Sequence, residues 1–115
     1  DSRIASYSFV SDEPTTLLGL EMFLAAVERN LGPALLRMKG VVNVRERSGQ
    51  PAVVHGAQHL LHNLVWLDQW PDDDHSTRIV IITDGIEQAE LQEMLDVLDR
   101  VVRRSIRAQD HAHGH

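Results

Sequence analysis

The stretch from Leu35 to Leu67 constrains the fold more than any other. Its outgoing arm, Leu35-Leu36-Arg37-Met38-Lys39-Gly40-Val41-Val42-Asn43-Val44-Arg45, turns over at Arg47-Ser48-Gly49-Gln50. The return arm runs through Ala52-Val53-Val54-His55-Gly56-Ala57-Gln58-His59 toward Trp66. Leu36, Met38, Val42 and Val44 fall on one side of the outgoing arm; Arg37, Lys39, Asn43 and Arg45 fall on the other. Period 2 is the mark of a strand with one buried and one wet face. A Ser-Gly pair between two such runs reads as a hairpin turn. A half-apolar hairpin needs material to cover its oily face, and the remaining segments supply it.

Residues 3–10 alternate loosely around Tyr7, Phe9 and Val10 and read as a first strand. Ser11-Asp12-Glu13-Pro14 carries helix-start chemistry: a capping side chain, acids, and a proline suited to the first turn. Leu17, Leu20, Phe23, Leu24, Val27 and Leu31 then follow at spacings of three and four, an amphipathic stripe. Gly32-Pro33 ends it, with Gly32 expected in a left-handed cap. After Trp66, residues 68–76 read as a polar loop, and Arg78–Thr83 as a dense β-branched strand closed by Asp84-Gly85. From Glu87, a second stripe uses Leu91, Met94, Leu95, Leu98, Val101 and Val102; acids come early and arginines late, matching the helix dipole. The expected order is β-α-β-β-β-α. The expected fold is α+β, a two-layer sandwich of a mostly antiparallel four-stranded sheet with both helices on one face. Residues 1–107 form the expected domain, and residues 108–115 an expected disordered, histidine-containing tail.

A chain of 115 residues holds one core. Its apolar runs are too short to span a bilayer, and no signal-peptide pattern is visible at its start. The absence of cysteine removes disulfides, thiolate metal sites and thiol nucleophiles, and suits a cytoplasmic setting. A net charge of −6 argues against nucleic acid as a partner. Because the sequence begins at Asp1 and not at Met, a piece of a longer chain is expected.

The chemical motifs are mostly negative. The single lysine, Lys39, lacks the glycines of a phosphate-binding loop, so no nucleotide site is expected in this piece. There is no G-x-S-x-G elbow and no H-E-x-x-H pair. Histidines are the remaining signal: His55, His59 and His62 on the return arm, and His111, His113 and His115 at the end. Imidazoles suit zinc, cobalt and nickel. On a straight strand, however, His55 and His59 lie about 13 Å apart, too far for one ion with bonds near 2 Å. His59 and His62 face opposite ways unless the strand ends or bends there. Two readings stand for these three: metal ligands completed by a carboxylate from elsewhere, or one wet or interfacial face. Arg37, Lys39 and Arg45 make a basic stripe, either solvated or an acidic-partner surface. Gly40 on the inner face implies a close backbone approach or a bulge. Trp66 and Trp70 read as lids on the core edge, and Asp72-Asp73-Asp74-His75 as a solvated turn.

Leu35–Val44, with its Arg-x-Lys-Gly strand, resembles the C-terminal domain of the CobW family of P-loop GTPases. Val54-His55-Gly56-Ala57-Gln58-His59, Trp66-Leu67-Asp68-Gln69-Trp70-Pro71 and Thr77–Thr83 agree with it, so the likeness covers Arg3 to about Val102. One departure is His62-Asn63-Leu64-Val65, where the family pattern would place prolines. The resemblance implies an accessory domain of a cytoplasmic GTPase concerned with metal delivery or cobalamin cofactor assembly. It implies no enzymatic activity of this piece, with GTP bound only by an N-terminal domain absent from this sequence. The implied partners are that GTPase domain and a metalloenzyme or cobalamin-pathway client; the implied metals are zinc or cobalt. Arg37, Lys39 and Arg45 are the candidate contact surface, and the six histidines the candidate ligands. The competing reading is an independent histidine-based metal-binding or storage module.

Overall fold

The structure is a computed structural model that describes residues 3–113. In chain order it contains β1 (Ile4–Ser11), α1 (Leu17–Leu31), β2 (Leu35–Val42), β3 (Ala52–Ala57), β4 (Leu60–Leu61), β5 (Val65–Trp66), β6 (Thr77–Asp84) and α2 (Gln88–His113). The sheet has six strands, not four, in the order β1-β6-β2-β3-β4, with β5 also paired to β3. Every pairing is antiparallel. The two additional strands arise because the return arm does not run straight to Trp66. It folds back after Ala57, and Val65–Trp66 then lies beside Ala52–Val53.

β1 and β2 are joined through α1 but separated by β6, a split β-α-β arrangement. β6 reaches both neighbours along its length: Tyr7 faces Ile81, which in turn faces Met38. The next inward row is Phe9, Ile79, Gly40 and Val54. Gly40 has the close approach that its sequence position implies. A Cβ there would lie 2.4 Å from the Arg78 carbonyl oxygen and 2.8 Å from Ile79 Cα, so β2 and β6 meet at this distance only without a side chain. The face assignment fails by one residue at the start of β2. A bulge between Leu35 and Arg37 makes Leu36 the extra residue, so Leu35 is fully buried and Leu36 is 36% exposed.

Both helices cover the inner face. Leu20, Val27 and Leu31 of α1 and Leu91 and Leu95 of α2 join Ala5, Tyr7, Leu35, Met38, Val42, Val54 and Ile81 in one core, with Trp66 packed at its edge and Trp70 itself buried. Three helix expectations are corrected. α1 starts at Leu17, capped by Thr16, whose hydroxyl accepts from the Gly19 N–H, while the Glu46 carboxylate takes the Leu17 N–H. Ser11 still belongs to β1, and Thr15 is bridged to Val44, so a helix cannot begin earlier. Gly32 is right-handed, φ −44°, because the chain passes into a 3-10 turn through Pro33 instead of a left-handed cap. α2 does not stop at Arg107 but continues to His113, since no glycine or proline interrupts residues 88–113. Residues 114 and 115 lie outside the described part. Val101, read as part of the apolar stripe, is 48% exposed.

Tyr7 ties α2 to β1 by donating from its hydroxyl to Asp96 Oδ1 at 3.2 Å. Burial, helped by the Asp96 carboxylate, pushes the phenol up to about 12. Replacing Gly40 by alanine is expected to cost about 2–4 kcal/mol in chemical denaturation, because backbone rather than a flexible side chain must give way. Tyr7 is the only tyrosine, so absorbance near 295 nm reads it alone. Its folded-state transition should sit near pH 12, against about 10 in denaturant. The stabilisation is complete below pH 10 and lost as pH rises from 10 toward 12; Tyr7→Phe should remove that segment of the stability profile.

Candidate interaction face and histidine pair

With both helices on the inner side, the outer face of the sheet lies open. Cross-strand register sorts it into rows. One runs Val10, Arg78, Val41, Val53, Val65; the next Ser8, Val80, Lys39, His55; the third Ser6, Ile82, Arg37, Ala57, Leu60. Val10 is 67% exposed, Leu60 60%, Val65 49% and Val80 44%. Arg37 and Lys39 are both exposed and stand between the valine rows. Scattered single apolar residues on a surface are ordinary, but a run of them across adjacent strands is characteristic of a contact surface.

Arg45 is separated from this pair. β2 ends at Val42, and Arg45 sits in a 3-10 turn, Arg45–Arg47, where its guanidinium pairs with Asp110 of α2. The expected three-residue stripe is thus a two-residue one, because the strand stops before the third position.

The histidines regroup at the β3–β4 turn. Gln58 and His59 both have positive φ, 52° and 75°, as a two-residue type I′ turn requires. Non-glycine residues there cost about 1–2 kcal/mol each. The offset comes from β2. Gln58 N–H donates to the Leu36 carbonyl at 3.1 Å and His59 N–H to the Leu35 carbonyl at 2.9 Å. Gly56 leaves room for Leu61, whose Cδ2 would lie 2.8 Å from a Cβ at that position. The turn brings His62 back to His55: its N–H donates to the His55 carbonyl at 3.0 Å, and the rings stack 4.6 Å apart at 8°. His59 is left at the exposed tip. The sequence kept a bend in view but gave no sign of which histidines it would join, since the usual Asn-Gly signal is missing.

The stacked pair does not fit a metal by itself. Imidazole lone pairs lie in the ring planes, and two nearly parallel planes do not converge on one ion 2 Å from each ring. Among the described residues, no group of three His, Cys, Asp or Glu side chains is arranged to hold a metal. The side chains of His111 and His113 fall outside the described part, as does His115. Asp72 and Asp74 accept the backbone N–H groups of Asp74 and Ser76. Hydrogen bonds from Ser76 hold the Asp74 carboxyl below its ordinary range. This loop uses its acids to shape itself. Trp70 is stacked on His75 and donates to the Ser48 carbonyl, pinning the loop to the β2–β3 connection. Among the described residues, no helix is long and apolar enough to cross a membrane.

The family described as the cobalamin synthesis protein cobW C-terminal domain matches residues 4–98. No curated protein matches the chain. Among solved structures, the zinc-bound YjiA GTPase from E. coli has a similar fold, with a TM-score of 0.67 and 20% identity. A zinc-bound triple mutant of the YjiA GTPase aligns with a TM-score of 0.68 at the same identity. Each alignment covers 84% of this chain and 30% of the other. The chain thus spans less than a third of the length of either neighbour.

Zinc titrated by calorimetry into a chain ending at Asp110 is expected to show no binding tighter than about 100 μM. Micromolar binding lost on His55→Ala or His62→Ala would restore the arm as a metal site.

Proposed function

Since the chain belongs to the family of cobW C-terminal domains, we propose that it is the accessory domain of a GTPase that delivers a metal or serves cobalamin cofactor assembly. It docks on the GTPase domain of its own polypeptide through the outer face of its sheet. The observation that carries this reading is the open face itself: Lys39 and Arg37 set among Val10, Val80, Val65 and Leu60. A wet sheet face in a self-sufficient domain carries polar residues at most outward positions. This one alternates cations with half-exposed valines, which suits an acidic partner surface with an apolar centre.

The domain is non-catalytic alone, and GTP belongs to the other domain, because no phosphate-binding loop exists in this sequence. A client is met by the assembled protein. Metal handling, where it involves this piece, needs donors from outside it. His55 lies directly opposite Lys39 in the docking face, so a ligand set could be completed only across the contact. Arg45 is assigned to holding α2 through Asp110 rather than to this surface.

Lys39 is the chain's single lysine, which makes the contact directly readable. Carbodiimide coupling of the full-length protein, which joins an amine to a carboxylate in contact with it, is expected to join Lys39 to the GTPase domain, and Val80→Asp to reduce that crosslink severalfold. A Lys39 that reacts freely and crosslinks nowhere in the GTPase domain would place the contact elsewhere.

A further inference from the structure

A cleft of about 240 Å³ opens between the start of α1, the second half of α2 and the ends of β1, β2 and β6. Its floor is apolar: Phe9, Leu20, Phe23, Val42 and Ile79. The outer wall comes from α2 beyond residue 98, where the family match ends: Val102, Arg103, Ile106, Arg107 and Asp110. Three interactions hold that wall. Thr16 Oγ1 donates to Gln109 Oε1 at 3.2 Å, Arg45 pairs with Asp110, and Arg103 reaches Ser11 and Glu13. Gly19 keeps the space open, since a Cβ there would lie 3.1 Å from Ile106 Cδ1 and 2.7 Å from Thr15 Oγ1.

The charges at the cleft are not balanced. It is lined by three guanidiniums against two carboxylates, an excess of one cation in a chain whose net charge is −6. Arg45 is taken by Asp110, and Arg103 by Asp99 and Glu13. Among the described residues Arg107 forms no ion pair. The Thr15 hydroxyl on the wall is buried with no hydrogen-bond partner, a group that native structures seldom leave unsatisfied.

We propose that this cleft binds a small organic anion, a molecule with an aromatic or branched apolar body and one carboxylate. The apolar body rests on the Phe9–Phe23 floor and the carboxylate meets Arg107. The volume equals roughly eight waters at about 30 Å³ each, which suits an enclosed body of about ten non-hydrogen atoms. Aromatic faces supply contact area and a guanidinium supplies orientation, the usual division of labour in small-molecule sites. The site is independent of the sheet face, which lies on the other side of the molecule.

3-Phenylpropionate is a fitting probe, with 3-phenyl-1-propanol as its neutral counterpart. Titrated into the 115-residue chain and followed by NMR, the acid is expected to shift the Phe9, Phe23 and Ile106 resonances saturably, with a submillimolar to millimolar Kd. The alcohol should bind about fivefold more weakly, and Arg107→Gln should weaken the acid to the level of the alcohol while leaving the alcohol unchanged, a factor suited to an exposed charge pair. Ile106→Trp, which fills the cleft, should abolish both. Arg107 is exposed, so its replacement does not threaten folding. No saturable shift by either probe at 10 mM (on the order of the weakest useful fragment affinity) overturns the site. Equal binding of acid and alcohol, or an acid affinity untouched by Arg107→Gln, overturns the anionic class of its ligand.

Discussion

Strand β6 hydrogen-bonds to β1 on one side and to β2 on the other, and it can do so only because position 40 carries no side chain. The Arg78 carbonyl oxygen would sit 2.4 Å from a Cβ at Gly40, well inside any tolerable contact. Without that approach the β1–β6 pair has no tie to β2, and Ile81 and Met38 no longer share a row. The helices depend on it in turn. α2 reaches β1 through Tyr7 and Asp96, and the core of α1 and α2 rests on the row that β6 completes.

The two faces of this sheet are put to different uses. On the inner face burial is nearly complete and the chemistry is packing. Leu35, Met38, Ile81 and Leu91 are all within about 1% of full burial, positions where truncation to alanine costs about 2–5 kcal/mol. On the outer face the same strands present valines with cations between them, and Val10, Val65 and Val80 are each close to half exposed or more. That asymmetry is what a docking role would need. The cleft at the far end of α2 is different again, built where two helices and three strand ends diverge and held open by Gly19.

Much of this was legible in the residues. The β-branched run Arg78–Thr83, the stripe from Leu17 to Leu31 and the hairpin around Ser48-Gly49 all announce their local structure. Gly40 stood out as a missing side chain on a buried face, and the Arg-x-Lys-Gly strand pointed to the family that matches residues 4–98. What stayed hidden is non-local or runs against propensity. Period 2 says which face a residue occupies, not which strand lies beside it, so nothing in Thr77–Asp84 reveals that it enters between β1 and β2. The bulge at Leu36 moved the buried face by one residue without a glycine to mark it. Gln58-His59 turns with two residues that resist positive φ, held by carbonyls of Leu35 and Leu36 far away in sequence. For the same reason the His55–His62 stack was out of reach. The end of α2 looked patternless because its anchors, Gln109 on Thr16 and Asp110 on Arg45, are polar tertiary contacts with no periodic signature.

The central place of β6 has a consequence for how the polypeptide is made. Residues 12–76 must leave the ribosome after β1 before its hydrogen-bonding partner exists. At synthesis rates of 5–20 residues per second that interval is roughly 3–13 s, long against the microseconds in which a local hairpin closes. During it β2 and β3 can pair, but β1 and one edge of β2 wait as unpaired strands with Val10 and Ile4 on their surfaces. The nascent chain therefore passes through a stage in which its exposed edges invite other strands, and the domain escapes that stage only when its last strand arrives to fill the gap.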